Sequence, residues 1–177
     1  MEIRVLKKSA LFCRFPFYNF SRGNFFSIEA IGTMACSFSK SMNDCGANPM
    51  DKSVNPNVLC IPLMSCDADI SGHMKQLHLG GISNEVELIL TRAGLFDLTK
   101  EEIDGRTICP RHRAQLGNRW RQTTRTCCIP NTLSTHKETR RPKGERPVNA
   151  SNSKKILQIT GELVAPGSRK IHLKFHN

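Results

Sequence analysis

The chain has 177 residues, of which 38% are hydrophobic and 6% aromatic, and its formal net charge of +11 gives an isoelectric point near 9.6. This length accommodates one ordinary domain or a smaller domain with tails, and the low aromatic content favours tails. No apolar run approaches the roughly eighteen residues of a membrane-spanning helix, so a membrane is not predicted as a partner. The excess of positive charge predicts an anionic partner instead.

The N-terminal third has little pattern of a folded domain. It is basic and rich in Phe and Ser, and from 37 to 57 it becomes rich in Ser, Asn, Asp, Gly and Pro, which is typical of a linker. We therefore predict a disordered or low-order region over 1–57, with a targeting segment as the alternative interpretation of its start. Residues 58–82 are predicted to form a linker with a short edge strand interrupted at Pro62.

Three short helices are predicted in the next thirty-five or so residues. Each has a residue suited to its N-terminus and a glycine suited to its end. The predicted N-caps are Asn84, Thr99 and Cys109, and the predicted ends are Gly94, Gly105 and Gly117. A fourth helix is predicted from Ser151 or Asn152 to Gly161, followed by two short strands around a Pro-Gly-Ser turn. Helices this short need shared burial or a covalent or metal cross-link to be stable.

Cysteine and histidine are concentrated in residues 107–136. Cys109 and His112 are three positions apart, so on a helix they share one face and can bind one ion. Cys127, Cys128 and His136 offer a second half, and the set is close to a tetrahedral Cys2His2 zinc site. In the alternative interpretation, Cys109 is a small buried hydrophobic residue and His112 lies on the surface. Because adjacent side chains of an extended segment point apart, only one of the two neighbouring cysteines is expected to bind.

The segments "TICPRHRAQLGNRW", "TRTCCIP" and "LSTH", with "PKGER" and "ILQITG", resemble a family of animal proteins of uncharacterised activity. The resemblance covers about Leu90 to Ser168. In that pattern the second cysteine stands three positions before the proline and nine before the histidine, which implies Cys127 with Pro130 and His136. The predicted zinc ligands are therefore Cys109, His112, Cys127 and His136. Members of that family usually continue into further cysteines, whereas "GSRKIHLKFHN" offers only two histidines.

Other chemistry is less well supported by the spacing. A set of Cys60, Cys66, His73 and His78 has the elements of a second zinc site but no familiar spacing. Cys109 and His112 lack a nearby orienting carboxylate for nucleophilic catalysis, and "LGGIS" lacks the lysine of a phosphate loop. The intracellular character of "HKETRRPKGERP" favours reduced thiols over disulfides. We predict that the protein is not an enzyme, with a zinc nuclease as the alternative.

The charge is divided along the chain. Between 66 and 105 eight acidic residues face three basic ones, whereas between 106 and 146 eleven basic residues face two acidic ones. Arginines around an aromatic plane suit phosphates and unstacked bases, although a lone tryptophan is usually a core residue. The predicted nucleic-acid contacts are Arg111, Arg113, Arg119, Trp120, Arg121, Arg125, Arg140, Arg141 and Lys143.

Together these patterns predict a small, irregular, mostly α-helical zinc-stabilised domain over 83–168, with an α+β arrangement as the alternative and a tail over 169–177. The predicted function is nucleic-acid binding in the nucleus through backbone contacts by arginines, with Zn²⁺ as a structural cofactor. The alternative is a zinc-dependent protein-interaction module that presents the Glu85 to Gly94 helix or the Trp120 region to a partner. An acidic protein is the alternative partner to nucleic acid, and the cytoplasm is the alternative location. The basic arm over 137–146 also fits a nuclear-import signal.

Overall fold

The computed structural model describes residues 35–39, 45–46, 60–134, 136 and 140–171. Five α-helices lie in this part of the chain, together with four two-residue strands and two 3-10 turns. The helices are α1 (Ser71–Leu77), α2 (Glu85–Arg92), α3 (Lys100–Asp104), α4 (Pro110–Leu116) and α5 (Ala150–Thr160). The strands are β1 (Ile61–Pro62), β2 (Thr107–Ile108), β3 (Arg146–Pro147) and β4 (Arg169–Lys170). A small fold of short helices with a few short strands is confirmed.

The strands form two separate antiparallel pairs. In the first pair β1 lies beside β2 with Ile61 opposite Ile108. In the second pair β3 lies beside β4 with Arg146 opposite Lys170. Two-residue strands bury little surface, so these pairs serve to position the segments beside them.

The predicted helix caps are present at α2, α3 and α4. The Asn84 side chain accepts a hydrogen bond from the Glu87 backbone amide at 2.9 Å, and Thr99 and Glu102 form a reciprocal capping box before α3. Cys109 stands at the N-cap of α4, with a proline in the first turn. These caps satisfy backbone amides that a helix leaves unpaired, which explains why they could be identified from local sequence.

Buried side chains form three clusters. The first lies between the N-terminal segment, α2 and α4, and includes Phe38, Ile89 and Ile108. The second belongs to the C-terminal half and includes Cys127, Ile129, Val148, Ile156 and Val164. The third lies under α1 and includes Ile70, Met74 and Leu88. Because α2 contributes to the first and the third cluster, it is the central helix of the N-terminal half.

The segment expected to be a linker over 58–82 is more structured than predicted. It contains the expected edge strand, as β1, but also a 3-10 turn and the helix α1, from which His73 and Met74 are buried. Likewise, the predicted tail over 169–177 begins with β4. Both segments are held in place by contacts with residues distant in the chain. Such contacts cannot be identified from local sequence. The expected low-order region over 1–57 lies largely outside the described residues, apart from 35–39 and 45–46.

Among the described residues, no helix has the length and apolar character needed to cross a membrane.

Candidate metal centre

Four side chains from three distant parts of the chain converge at one end of the first cluster. The donor atoms of Cys36, Cys45, Cys109 and His112 all lie within 4.8 Å of one another. His112 Nδ1 lies 3.2 Å from the Cys109 sulfur, 3.5 Å from the Cys36 sulfur and 3.9 Å from the Cys45 sulfur. Zinc bonds of about 2.3 Å to sulfur and 2.1 Å to nitrogen place such donors about 3.6 Å apart in a tetrahedron. The group can therefore hold a metal ion with little rearrangement.

The α4 pair is positioned by the start of its helix. Cys109 has extended backbone, and its sulfur accepts a hydrogen bond from the His112 amide at 3.4 Å. Pro110 then fixes the first helical residue in a conformation suited to a helix. The spacing of three residues turns the His112 ring back over the first turn, so that its Nδ1 faces the cysteine sulfur. Local sequence is sufficient to build this half of the site.

The Cys36 half is brought in by backbone pairing with β2. The Ser37 amide donates to the Thr107 carbonyl at 2.9 Å, and the Thr107 amide donates to the Ser37 hydroxyl at 3.0 Å. The Cys109 amide in turn donates to the Cys36 sulfur at 3.3 Å. An amide hydrogen bond to sulfur stabilises a thiolate, so this contact favours Cys36 as a metal ligand.

Cys45 is held by its neighbour Gly46. The Arg111 backbone amide donates to the Gly46 carbonyl at 3.1 Å, which ties this short segment to the first turn of α4. Cys45 is half-buried, whereas Cys36, Cys109 and His112 are buried. The ion would therefore be sealed from solvent on three sides and closed by Cys45 on the fourth.

The thiols of Cys36 and Cys109 are electrostatically coupled. A hydrogen bond from Cys36 strongly lowers the pKa of Cys109, with the bond to His112 acting in the same direction and burial opposing both. The same hydrogen bond and burial raise the pKa of Cys36. Without an ion the pair thus shares one proton, with Cys109 as the thiolate. A divalent cation takes the place of that proton, so metal binding is expected to release protons.

The donor set identifies the kind of centre. Three thiolates and one imidazole complete a tetrahedron, which is the composition of a structural zinc site. Soft thiolate donors select Zn²⁺ over Mg²⁺ or Ca²⁺, which prefer oxygen. A site with four protein ligands leaves no coordination position for substrate. Zn²⁺ accordingly fits the residues present, and an ion bound there would cross-link the chain.

Two of the four predicted ligands lie elsewhere. Cys127 is fully buried in the second cluster, and its amide donates to the Pro142 carbonyl at 2.8 Å. His136 is half-buried, and among the described residues neither it nor Cys127 belongs to a group of metal donors. The structure therefore brings together Cys109 and His112 but not the second predicted half. Cys127 instead occupies a position in an apolar core, a common one for a cysteine.

Cys36 and Cys45 were not predicted because they lie in the region over 1–57 that was expected to be disordered or of low order. Their spacing of nine positions resembles no familiar ligand pair, and the next ligand is more than sixty residues further along the chain. The sequence indicated only that Cys109 and His112, the pair with the most regular spacing, need two further donors to complete a tetrahedral site. The predicted boundary at residue 83 also leaves both residues outside the domain.

The alternative second set is dispersed. Cys66 is buried in the first cluster and His73 accepts a hydrogen bond from Arg92, whereas His78 is exposed at the end of α1. Cys60 lies beside the metal centre, packed against the first cluster. Burial raises the pKa of Cys66 to about 11, as for a thiol in apolar surroundings.

The residues predicted to contact nucleic acid divide into two groups. Some are engaged within the fold: Arg113 forms a bidentate ion pair with the buried Glu85 at 2.7 and 2.9 Å. Trp120 is only 4% exposed and is covered by the guanidinium of Arg92, 4.4 Å from its ring centroid. Trp120 is thus a core residue, the more usual role of a lone tryptophan.

Two further arginines donate hydrogen bonds to backbone carbonyls. Arg121 donates to the carbonyls of Asn118 and Trp120, and the half-buried Arg141 donates to the Cys127 carbonyl at 3.1 Å. Arg111 is half-buried beside the metal centre. The exposed members of the predicted set are Arg119, Arg121, Arg125, Arg140 and Lys143.

No protein family, curated protein or solved structure matches this chain.

Proposed function

We propose that the protein is a zinc-stabilised module that binds the phosphate backbone of nucleic acid through exposed arginine and lysine side chains. The metal centre holds the N-terminal segment on α4 and has a structural role. The observation that supports phosphate binding is a group of cations on the C-terminal half, on the side of the chain where the sequence is most basic. This group, which we call the basic face, consists of Arg125, Lys143, Arg146 and Arg169.

The basic face is carried by three paired backbone segments. The Gly144 amide donates to the Arg125 carbonyl at 2.9 Å, and Thr126 forms a bridge with Lys143. On the other side, β3 pairs with β4, which carries Arg169. All four side chains are exposed. Because hydrogen-bonded backbone holds the Cα atoms in place, anion binding has to order the side chains but little further backbone.

The cations have few acidic partners. Glu145 is the only acidic residue in these three segments. In the described part of the chain, ion pairs join Arg113 with Glu85 and Lys154 with Asp97, neither of which involves the basic face. Burial and the positive charge of Arg146 lower the pKa of Lys170. Unbalanced cations held close together are stabilised by an anion, and a polyphosphate chain supplies several at once.

A cleft beside the basic face has room for a small anionic group. Its volume is about 230 Å³, and Arg125 and Arg169 line it together with Gln122 and Glu145. Two guanidinium groups at one cleft suit bidentate contacts with phosphate oxygens.

The buried position of Trp120 bears on specificity. Base stacking needs an accessible aromatic face, and both its burial and the Arg92 guanidinium deny one to Trp120. Contacts restricted to phosphates position a protein but carry no sequence information, so we expect weak sequence preference. We propose the nucleus as the location of this activity, with the cytoplasm as the alternative.

The alternative, a protein-interaction module, has less support. Met64 and Ile159 are the large hydrophobic side chains exposed among the described residues, and they lie on a 3-10 turn and on α5. An apolar docking surface needs several such residues side by side. An acidic protein partner would instead use the same basic face.

Binding of the zinc-loaded full chain to DNA and RNA, measured over a series of salt concentrations, tests the proposal. Affinity is expected to fall at least about tenfold between roughly 0.05 and 0.2 M salt, as several phosphate contacts imply. The double variant Arg125→Gln/Arg146→Gln should bind more weakly and with a shallower salt slope.

The matched control is Lys75→Gln/Lys100→Gln, which removes the same charge from exposed positions on α1 and α3. It should bind almost as the wild type does. Equal weakening in both variants, or a complete lack of salt-sensitive binding, would contradict the proposal. Equally tight binding to polyglutamate would favour an acidic protein as partner.

A further inference from the structure

A further cysteine, Cys60, lies beside the four candidate ligands of the metal centre. It precedes β1 directly, and the β1–β2 register pairs Ile61 with Ile108. Continuing that antiparallel register by one residue sets Cys60 opposite the ligand Cys109. Side chains directly opposite each other on an antiparallel pair lie close together.

The contacts of Cys60 agree with this register. Its side chain packs against the first cluster, which contains Cys36 and Cys109. Its thiol also shares a hydrogen bond with the Cys36 thiol. Cys60 is nevertheless outside the group of four mutually adjacent donors. It is half-buried, whereas Cys36 and Cys109 are buried.

Cys60 is a free cysteine in this position. A tetrahedral ion bound by the other four residues has no need of this sulfur. A free cysteine next to a metal-bound thiolate is, however, the arrangement that can form a disulfide once the thiolate is oxidised.

We propose that Cys60 is the resolving thiol of an oxidant-sensitive zinc centre, with Cys36 as its disulfide partner and a hydroperoxide as the oxidant. This inference rests on the metal centre of the proposed function but not on nucleic-acid binding. It assigns an oxidative modification site to Cys36 and Cys60.

The reaction has two steps. The Cys36 thiolate sulfur attacks a peroxide oxygen, so that a sulfur–oxygen bond forms, the oxygen–oxygen bond breaks, and the departing hydroxide takes a solvent proton to become water. The Cys60 sulfur then attacks the resulting sulfenic acid. A sulfur–sulfur bond forms, and the hydroxide that leaves combines with the Cys60 proton. The two sulfurs together give up two electrons, and hydrogen peroxide is reduced to two waters.

Disulfide formation removes one ligand from the ion. Three donors remain, and the charge of one thiolate is lost, so the affinity for zinc falls and the ion is released. The segment that carries Cys36 and Cys45 then loses its metal link to α4.

The test uses the zinc-loaded full chain, treated with hydrogen peroxide in the presence of a chromophoric zinc chelator. Zinc release is followed by absorbance, and disulfides are mapped by mass spectrometry of the digested protein. Wild type is expected to release zinc with the appearance of a Cys36–Cys60 peptide. Cys60→Ser should bind zinc normally before treatment and release it several-fold more slowly. Cys128→Ser, which removes a half-buried thiol of the C-terminal half, is the control and should behave as wild type.

The results distinguish a failure of the Cys60 inference from a failure of the metal centre. A zinc-loaded Cys60→Ser variant that releases its ion as fast as wild type would overturn the inference while leaving the metal centre intact. So would a wild-type disulfide that does not contain Cys60. Protein that binds no zinc before any oxidant is added would overturn the metal centre, and this inference with it.

Discussion

Arg92 is a buried cation that has no carboxylate partner among the described residues. It is only 2% exposed, and it donates to the carbonyls of Leu116, Gly117 and Pro166. Its guanidinium also covers the ring of Trp120. Burying an unpaired charge is costly, and here carbonyl dipoles, an aromatic face and a neutral histidine offset the cost. One side chain thus joins α2 to the end of α4 and to the loop before β4.

His73 accepts the fourth hydrogen bond of this arginine. The Arg92 Nη2 lies 2.9 Å from His73 Nε2, which must accept the hydrogen bond and is therefore unprotonated. Burial and the charges of Arg92 and Arg121 lower the pKa of His73 to about 4. In the unfolded chain the same group titrates near 6.5.

The free energy of unfolding is therefore expected to decrease as the pH falls from about 6.5 towards 4. In that window the unfolded chain binds a proton at His73 and the folded chain does not, so acid favours unfolding by at most about 1.4 kcal/mol per pH unit. Acid also protonates the metal ligands, so the informative quantity is the difference between wild type and His73→Gln, whose amide oxygen can accept from Arg92 without titrating. Urea unfolding at about pH 7 and pH 5 should show the greater loss in wild type; parallel losses would contradict this account.

At the residue scale, sequence was informative where the chemistry is local. Cys109 and His112 could be paired because three residues on a helix fix their geometry. Cys36 and Cys45 reach the site through the pairing of 35–39 with β2 and through Gly46, and no local rule anticipates such contacts. The same limit explains Cys127, which has a histidine nearby in sequence but is buried among apolar side chains of the second cluster.

At the scale of elements, short helices depend on their caps and on the loops that join them. The caps of α2 and α3 are formed by side chains within the same few residues, so the predictions for Asn84 and Thr99 are confirmed. The N-cap residue of α1, Ile70, has no capping side chain, and this helix was not predicted. It is held by burial of Met74 and by the contact of His73 with Arg92, both of which are tertiary.

The loop before β4 contains an element-scale feature that can be tested at Gly167. This glycine has φ of +97°, and a Cβ there would lie 2.9 Å from Trp120 and 3.2 Å from Leu77. Gly167→Ala is therefore expected to lower the free energy of unfolding by roughly 1–3 kcal/mol, through backbone strain and displacement of the tryptophan.

Gly105→Ala is the matched control. Gly105 has φ of −79°, and a Cβ there would meet no atom within 4 Å. Urea unfolding should find this variant within about 0.5 kcal/mol of wild type, as for an ordinary surface substitution. A Gly167→Ala protein as stable as the control would show that the loop does not pack on Trp120 as described.

At the scale of the whole molecule, the exposed basic face is separate from the ion pairs that link parts of the fold. The acidic segment over 66–105 contacts the C-terminal part of the chain through the Glu85–Arg113 and Asp97–Lys154 ion pairs. The basic face lies outside these contacts and is exposed. Charge counts along the chain predicted this division, because they depend on composition alone. They could not tell which arginines are engaged in the fold, since that depends on the positions of Glu85 and of free carbonyl groups.

We propose that zinc joins the N-terminal segment to α4 through Cys36, Cys45, Cys109 and His112. Metal analysis of the purified full chain and of two single variants, Cys36→Ser and Cys127→Ser, tests it most directly. We expect about one equivalent of zinc in wild type, as a single tetrahedral site requires. Cys36→Ser should lose most of that zinc, whereas Cys127→Ser should retain it while the protein remains folded. Zinc that survives Cys36→Ser but is lost in a folded Cys127→Ser protein would contradict the account.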